Sequence, residues 1–103
     1  MTNPLLKGIR PVHPAEILRE DVLPALGRPK AEIARLMGIS RQTLYDLLNE
    51  RQPVTAQMAL RIGKLTGTTA ESWLRMQGRY DMKVAERAMA DEIAKIPTLG
   101  EAA

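Results

Sequence analysis

The stretch from Lys30 to Glu50, KAEIARLMGISRQTLYDLLNE, constrains this chain more tightly than any other. Ile33, Ala34 and Met37 recur at i, i+1 and i+4 and so share one face of a helix, while Lys30, Glu32 and Arg35 fall elsewhere. Gly38 follows the last apolar residue, where a left-handed backbone suits glycine, and Ser40 is placed as the N-cap of a new helix. In that second helix Leu44, Leu47 and Leu48 form the inward face, which turns Arg41, Gln42, Tyr45, Asp46 and Asn49 away from the core. Ala34 faces the turn, where a larger side chain would push the two axes apart. A short helix, a tight turn and a second helix presenting polar side chains outward are suited to reading DNA.

What surrounds this stretch has to supply a core. The 103 residues make one small domain and are 45% hydrophobic, with no Phe, one Trp, two Tyr and six Met. Leu, Ile, Val, Ala and Met must fill the interior, a palette for helices rather than strands, so the expected fold is all-α. The absence of cysteine excludes disulfides, thiolate metal sites and cysteine nucleophiles. His13 is the only histidine, and no HExxH, Walker or GxGxxG pattern occurs. No catalytic residue, metal or cofactor is therefore expected, nor a small-molecule substrate. A net charge of +3 and a pI near 9.6 permit a polyanionic partner without requiring one. No apolar run approaches the ~20 residues of a membrane span, and MTNPLLKGIRP lacks the apolar centre of a signal peptide. The expected location is cytoplasmic, away from membranes.

Taken in order, residues 1–12 carry two prolines and no sustained periodicity and read as an extended arm with Lys7 and Arg10 as its cations. His13 and Pro14 open a helix with Ile17, Leu18 and Val22 inward; Pro24 is expected to end it, leaving Leu23 to Pro29 as a turn. His13 reads as a cap or packing residue. After Asn49, the loop ERQPV places Arg51 beside the second helix of the pair, in reach of a phosphate. Thr55 caps a helix with Met58, Ile62 and Leu65 inward and Gly67 as its stop; Gly63 inside it points to close approach of a neighbouring helix. Thr69 caps the next, whose stripe is Trp73, Leu74, Gln77 and Tyr80. Beyond it, Val84, Ala88, Met89, Ile93 and Ile96 make a narrower apolar seam that the core does not need. Tyr80, Val84, Ala88, Met89 and Ile93 are thus the candidate surface for a second copy or another protein. Pro97 is expected to end the helix.

PVHPAEILREDVLPALG, the pair of helices with SRQTLYDLLN, the MALRI helix and ESWLRMQGRYD, in this order, resemble the HigA family of antitoxins within the lambda-repressor-like (XRE) helix-turn-helix group. The resemblance runs from about Arg10 to Asp81. It implies a compact five-helix DNA-binding domain over residues 13–81, with 82–103 as a helical C-terminal extension and tail. It also implies a homodimer that binds double-stranded operator DNA, represses its own operon and neutralises a HigB-type toxin, a ribosome-dependent mRNA endonuclease. The chain departs from the family at Ala70, where proline is common, and at Lys30, where glutamine is frequent.

Carried across residue by residue, the resemblance directs Arg41, Gln42, Tyr45 and Asp46 to base edges and gives Lys30, Ser40, Thr43, Asn49 and Arg51 phosphate or capping roles. Arginine can fork onto guanine O6 and N7, glutamine can pair with adenine N6 and N7, and aspartate can accept from cytosine N4. Phosphates repel a carboxylate, so a second role for Asp46 is to orient Arg41 or Gln42. Two other readings compete: a repressor with no toxin partner, and a module that binds only protein through its helical surface.

Overall fold

His13 starts the first helix by capping it, its imidazole Nδ1 accepting from the Ala15 amide at 3.0 Å, and Pro14 follows where a missing N–H costs nothing. The computed structural model describes residues 10–100. The arm as far as Ile9, with Lys7, and the tail from Glu101 lie outside the described residues.

This helix, α1, is α-helical over Pro14–Ile17, widens into a π-helical turn over Leu18–Val22 and resumes over Leu23–Leu26. The expected stop at Pro24 does not occur, and the segment read as a turn is helical as far as Leu26. Proline breaks an α-helix because its ring crowds the carbonyl four residues back and it donates no bond. Here the Leu23 N–H reaches back five residues to Leu18 O, and the wider turn accommodates the ring. The helix ends instead at Gly27, which is left-handed at φ 65°.

The pair of helices is built as its sequence implies. Helix α2 spans Lys30–Met37 and α3 spans Arg41–Leu48. Between them Gly38 is left-handed, and the Ile39 N–H returns to Ala34 O at 3.0 Å, closing the carbonyl end of α2. Helix α4, Ala56–Thr66, is capped by Thr55 and closed by left-handed Gly67. Helix α5, Ala70–Ala88, is capped by Thr69, and a short α6 follows at Ala90–Ala94. The last helix thus stops before Pro97, and the helix break falls at Met89. The boundary drawn after Asp81 lies inside unbroken α5.

Leu18, Ile33, Leu44, Leu47, Ile62 and Trp73 meet in one core, to which each of the first five helices contributes. Trp73 keeps its polar edge satisfied by donating from Nε1 to Thr68 Oγ1 at 2.7 Å. Of its expected stripe, Leu74 departs and Gln77 is buried as expected. Leu74 is exposed, and Gln77 is buried as a polar strut: its Oε1 accepts from the Val54 amide at 2.7 Å and its Nε2 donates to Asp81 at 2.9 Å. Gly63 does mark a close approach, to the turn after its own helix and to the N-terminus of the neighbouring helix α5. A Cβ there would lie 2.8 Å from Thr68 O and 3.1 Å from the Ala70 nitrogen. No helix among the described residues is long and apolar enough to cross a membrane.

Candidate nucleic-acid interface

Ser40 fixes where the outward face of α3 begins. Its Oγ accepts from the Thr43 amide at 3.0 Å and donates to Thr43 Oγ1 at 2.8 Å, so both hydroxyls are engaged at the helix start. From there Arg41, Gln42, Tyr45 and Asn49 are exposed, with Thr43 and Asp46 half-buried. Leu44, Leu47 and Leu48 anchor the opposite side, at most 2% exposed. The polar row is mounted on a rigid base.

Asp46 is the centre of that row. Gln42 Nε2 donates to its Oδ1 at 2.9 Å, and Arg51 Nη1 approaches the same oxygen at 3.5 Å. The carboxylate therefore orients Gln42, as one of the two expectations held, and the cation it pairs with is Arg51 rather than Arg41. With its amino group turned to Asp46, Gln42 has its carbonyl oxygen free to accept from an exocyclic base amine. Arg41 makes no ion pair among the described residues, and its whole donor fork is available.

Glu50 explains how Arg51 comes back to Asp46. It is left-handed at φ 62°, uniquely so among the described non-glycine residues, and the Arg51 N–H then bonds to Asp46 O at 2.8 Å. Strained backbone of this kind persists only where its surroundings hold it. Arg19 supplies part of that hold, with Nη1 at 3.6 Å from Glu50 Oε2.

Several positioning side chains escaped the sequence reading. Arg19, from α1, donates to Leu48 O at the end of α3 at 2.6 Å; Arg61, from α4, donates to Met37 O at the end of α2, just before the turn, at 2.5 Å. Gln52 reaches Thr43 O at 3.3 Å. Local periodicity cannot reveal such bonds, since each joins a side chain to a distant carbonyl. Lys30 stands exposed at the first position of α2, where a helix N-terminus already favours an anion. A cleft of about 260 Å³ beside it adds Arg19 and Arg28. Three cations thus meet beside the end of α3, of which only Lys30 was anticipated.

His13 sits behind the interface, 3% exposed, with its ring edge-on to Tyr80 at a centroid distance of 4.9 Å. Burial lowers its pKa, opposed by the carboxylates of Glu50 and Asp81 and by a hydrogen bond to the Gln52 backbone. The neutral ring is what capping requires. Tyr80 is half-buried, whereas Val84, Ala88, Met89 and Ile93 all face solvent, so the expected seam has no cover within the described chain.

A family profile described as helix-turn-helix matches residues 18–73. Virulence-associated protein I of Dichelobacter nodosus is 38% identical over 88 residues, covering 84% of this chain and 82% of that protein. Among solved structures, the antitoxin GraA in complex with its operator is 39% identical with a TM-score of 0.82, covering 97% of this chain and 98% of that one. The Pseudomonas aeruginosa antitoxin HigA with the higBA promoter is 34% identical, also at a TM-score of 0.82, covering 88% and 100%.

Proposed function

The chain belongs to the helix-turn-helix family, in its XRE-type branch with the HigA antitoxins, and from that premise we propose that it binds an operator through α3, represses its own operon and neutralises a HigB-type toxin. This is a family of DNA-binding regulators and not of enzymes. The observation that carries the reading is the row Arg41, Gln42, Tyr45, Asp46 and Asn49, turned outward on a helix whose other face is fully buried.

Arg41 and Gln42 face base edges, with Asp46 setting the glutamine amide. Tyr45, 43% exposed, offers an apolar ring for a thymine methyl and a hydroxyl for a phosphate. Lys30, Thr43, Asn49 and Arg51 take phosphates, joined by Arg28 in the cleft beside Lys30; Ser40 keeps the helix start in shape. Two copies placing α3 in successive major grooves, roughly 34 Å apart, read half-sites one turn distant. The exposed side of α5 and α6 with Tyr80, Val84, Ala88, Met89 and Ile93 is the protein-binding surface, because apolar stripes of this kind require a cover.

Substituting Arg41 and Gln42 together by alanine tests the DNA half: operator binding falls, and unchanged sequence-specific retention overturns the assignment. Co-expression with the adjacent reading frame tests the toxin half. Relief of growth arrest with a co-purifying complex is expected, and its absence leaves a repressor acting without a toxin.

A further inference from the structure

Helix α5 carries a ladder of cations. Arg75, Arg79, Lys83 and Arg87 recur every four residues, and like charges at that spacing disfavour the helix that bears them. Neither Arg79 nor Lys83 has an ion pair among the described residues. These two stand at the rim of a cavity of about 330 Å³, enclosed between the segment leading into α1, α1 itself and α5. Its wall is apolar, made of Val12, Ile17 and Met76 with the ring of Tyr80. Ile17, Met76 and Tyr80 are half-buried, whereas Val12 is exposed. The third cation of the rim is Arg10, whose Nη2 lies 2.7 Å from Glu16 Oε1. No carboxylate lines the cavity, and Arg75 and Arg87 lie outside it.

We propose that this cavity binds a single-chain alkyl carboxylate, its tail against Val12, Ile17 and Met76 and its headgroup between Arg79 and Lys83. Small-molecule sites are concave and mostly apolar, of roughly 300–1,000 Å³, which suits a notch built by three segments. A helix laid on the surface would need a longer groove. Every charged side chain lining the cavity is a cation, and that fixes the sign of the ligand. The planar guanidinium of Arg79 can meet a carboxylate with two parallel bonds, and Lys83 adds a point charge beside it. An alkyl tail covers wall that the described chain leaves open to water. The residues before Arg10 bring Lys7, whose charge has the wrong sign for this rim. The ladder thus gains at its centre the anion that its own helix does not supply.

Equilibrium dialysis of the full chain against radiolabelled octanoate tests it, with unlabelled butyrate and octylammonium as competitors. One octanoate is retained per chain. Butyrate competes at least about tenfold more weakly, for want of four buried methylenes, and octylammonium does not compete. Arg79→Gln with Lys83→Gln weakens octanoate binding by about tenfold. Arg75→Gln, on the same ladder but outside the cavity, leaves it within about twofold of wild type. Val12→Glu sets a carboxylate in the wall and weakens binding by about tenfold or more. All the replaced side chains are exposed, so melting temperatures stay near that of wild type. No retained octanoate, butyrate or octylammonium competing as well as octanoate, or an Arg75→Gln loss as large as that of the double variant each overturns the site. So does a Val12→Glu chain that retains octanoate as wild type does.

Discussion

Replacing Gln77 by leucine removes a side chain that ties the loop after α3 to α5, accepting from Val54 at 2.7 Å, and that donates to Asp81 in its own helix at 2.9 Å. Val54 is 2% exposed and Gln77 5%, so water cannot take the place of the lost acceptor. A stranded buried N–H costs ~1–3 kcal/mol. Leucine has nearly the volume of glutamine and leaves little cavity, and its apolar burial returns part of the loss. The net destabilisation is ~1–2 kcal/mol, which at ~4–8 °C per kcal/mol for a domain of this size lowers the melting temperature by about 4–16 °C. Thermal unfolding followed by far-ultraviolet circular dichroism measures this directly. Gln77→Glu separates the two bonds, because it keeps an acceptor for Val54 but sets a carboxylate where the amide faced Asp81. A proton held between the two carboxylates raises the folded-state pKa of the new glutamate above its ordinary ~4.3. The folded state then binds more protons than the unfolded one, so this variant gains stability relative to wild type as pH falls towards that value. A leucine variant within ~0.5 kcal/mol of wild type, or a glutamate variant that tracks wild type at every pH, would refute the strut.

Arg41→Ala with Gln42→Ala should weaken operator binding by about 30- to 20,000-fold, at ~1–3 kcal/mol for each of the two base-directed residues, with little change in non-specific affinity; gel shifts against operator and scrambled duplexes measure both. Gly63→Ala should destabilise the fold by ~1–3 kcal/mol despite alanine's better helix propensity, because the added Cβ meets backbone atoms that cannot rotate away; a rise in melting temperature would contradict the close approach. His13 has a lowered pKa in the fold, so the unfolded chain takes up its proton first. Its contribution is complete above ~6.5 and is lost as pH falls through that value towards the folded pKa. Melting temperatures recorded across this window should fall for wild type and fall less for His13→Asn, which caps without titrating there.

Much of this arrangement is written in short-range pattern. Ser40, Thr55 and Thr69 each cap the helix assigned to them, and Gly38 and Gly67 are left-handed where the apolar periodicity stops. Those features are local: a hydroxyl three residues from an amide, or a residue without Cβ at a helix end. Pro24 misled because the compensation for its ring lies in the π turn before it, and π turns leave no simple signature in residue types. Gln77 is buried where helical spacing put it, but its bonds were not legible, because spacing reports a direction and not what waits there; a buried amide and a buried leucine satisfy the same period. The mounting of α3 was illegible for a related reason. Arg19 and Arg61 lie 29 and 24 positions from the carbonyls they bind. In the sequence each looks like any solvated helix cation.

Those two arginines separate mounting from reading. Both take hold of main-chain oxygens, which every residue possesses, at Met37 before α3 and Leu48 at its end. Substitutions at Arg41, Gln42, Tyr45 or Asn49 leave both grips in place, because no atom of those side chains takes part in them. The outward row is thereby interchangeable, as lettering is on a fixed type bar. A lineage of such proteins can drift from one operator to another by changing letters while the angle of presentation stays where α1 and α4 set it.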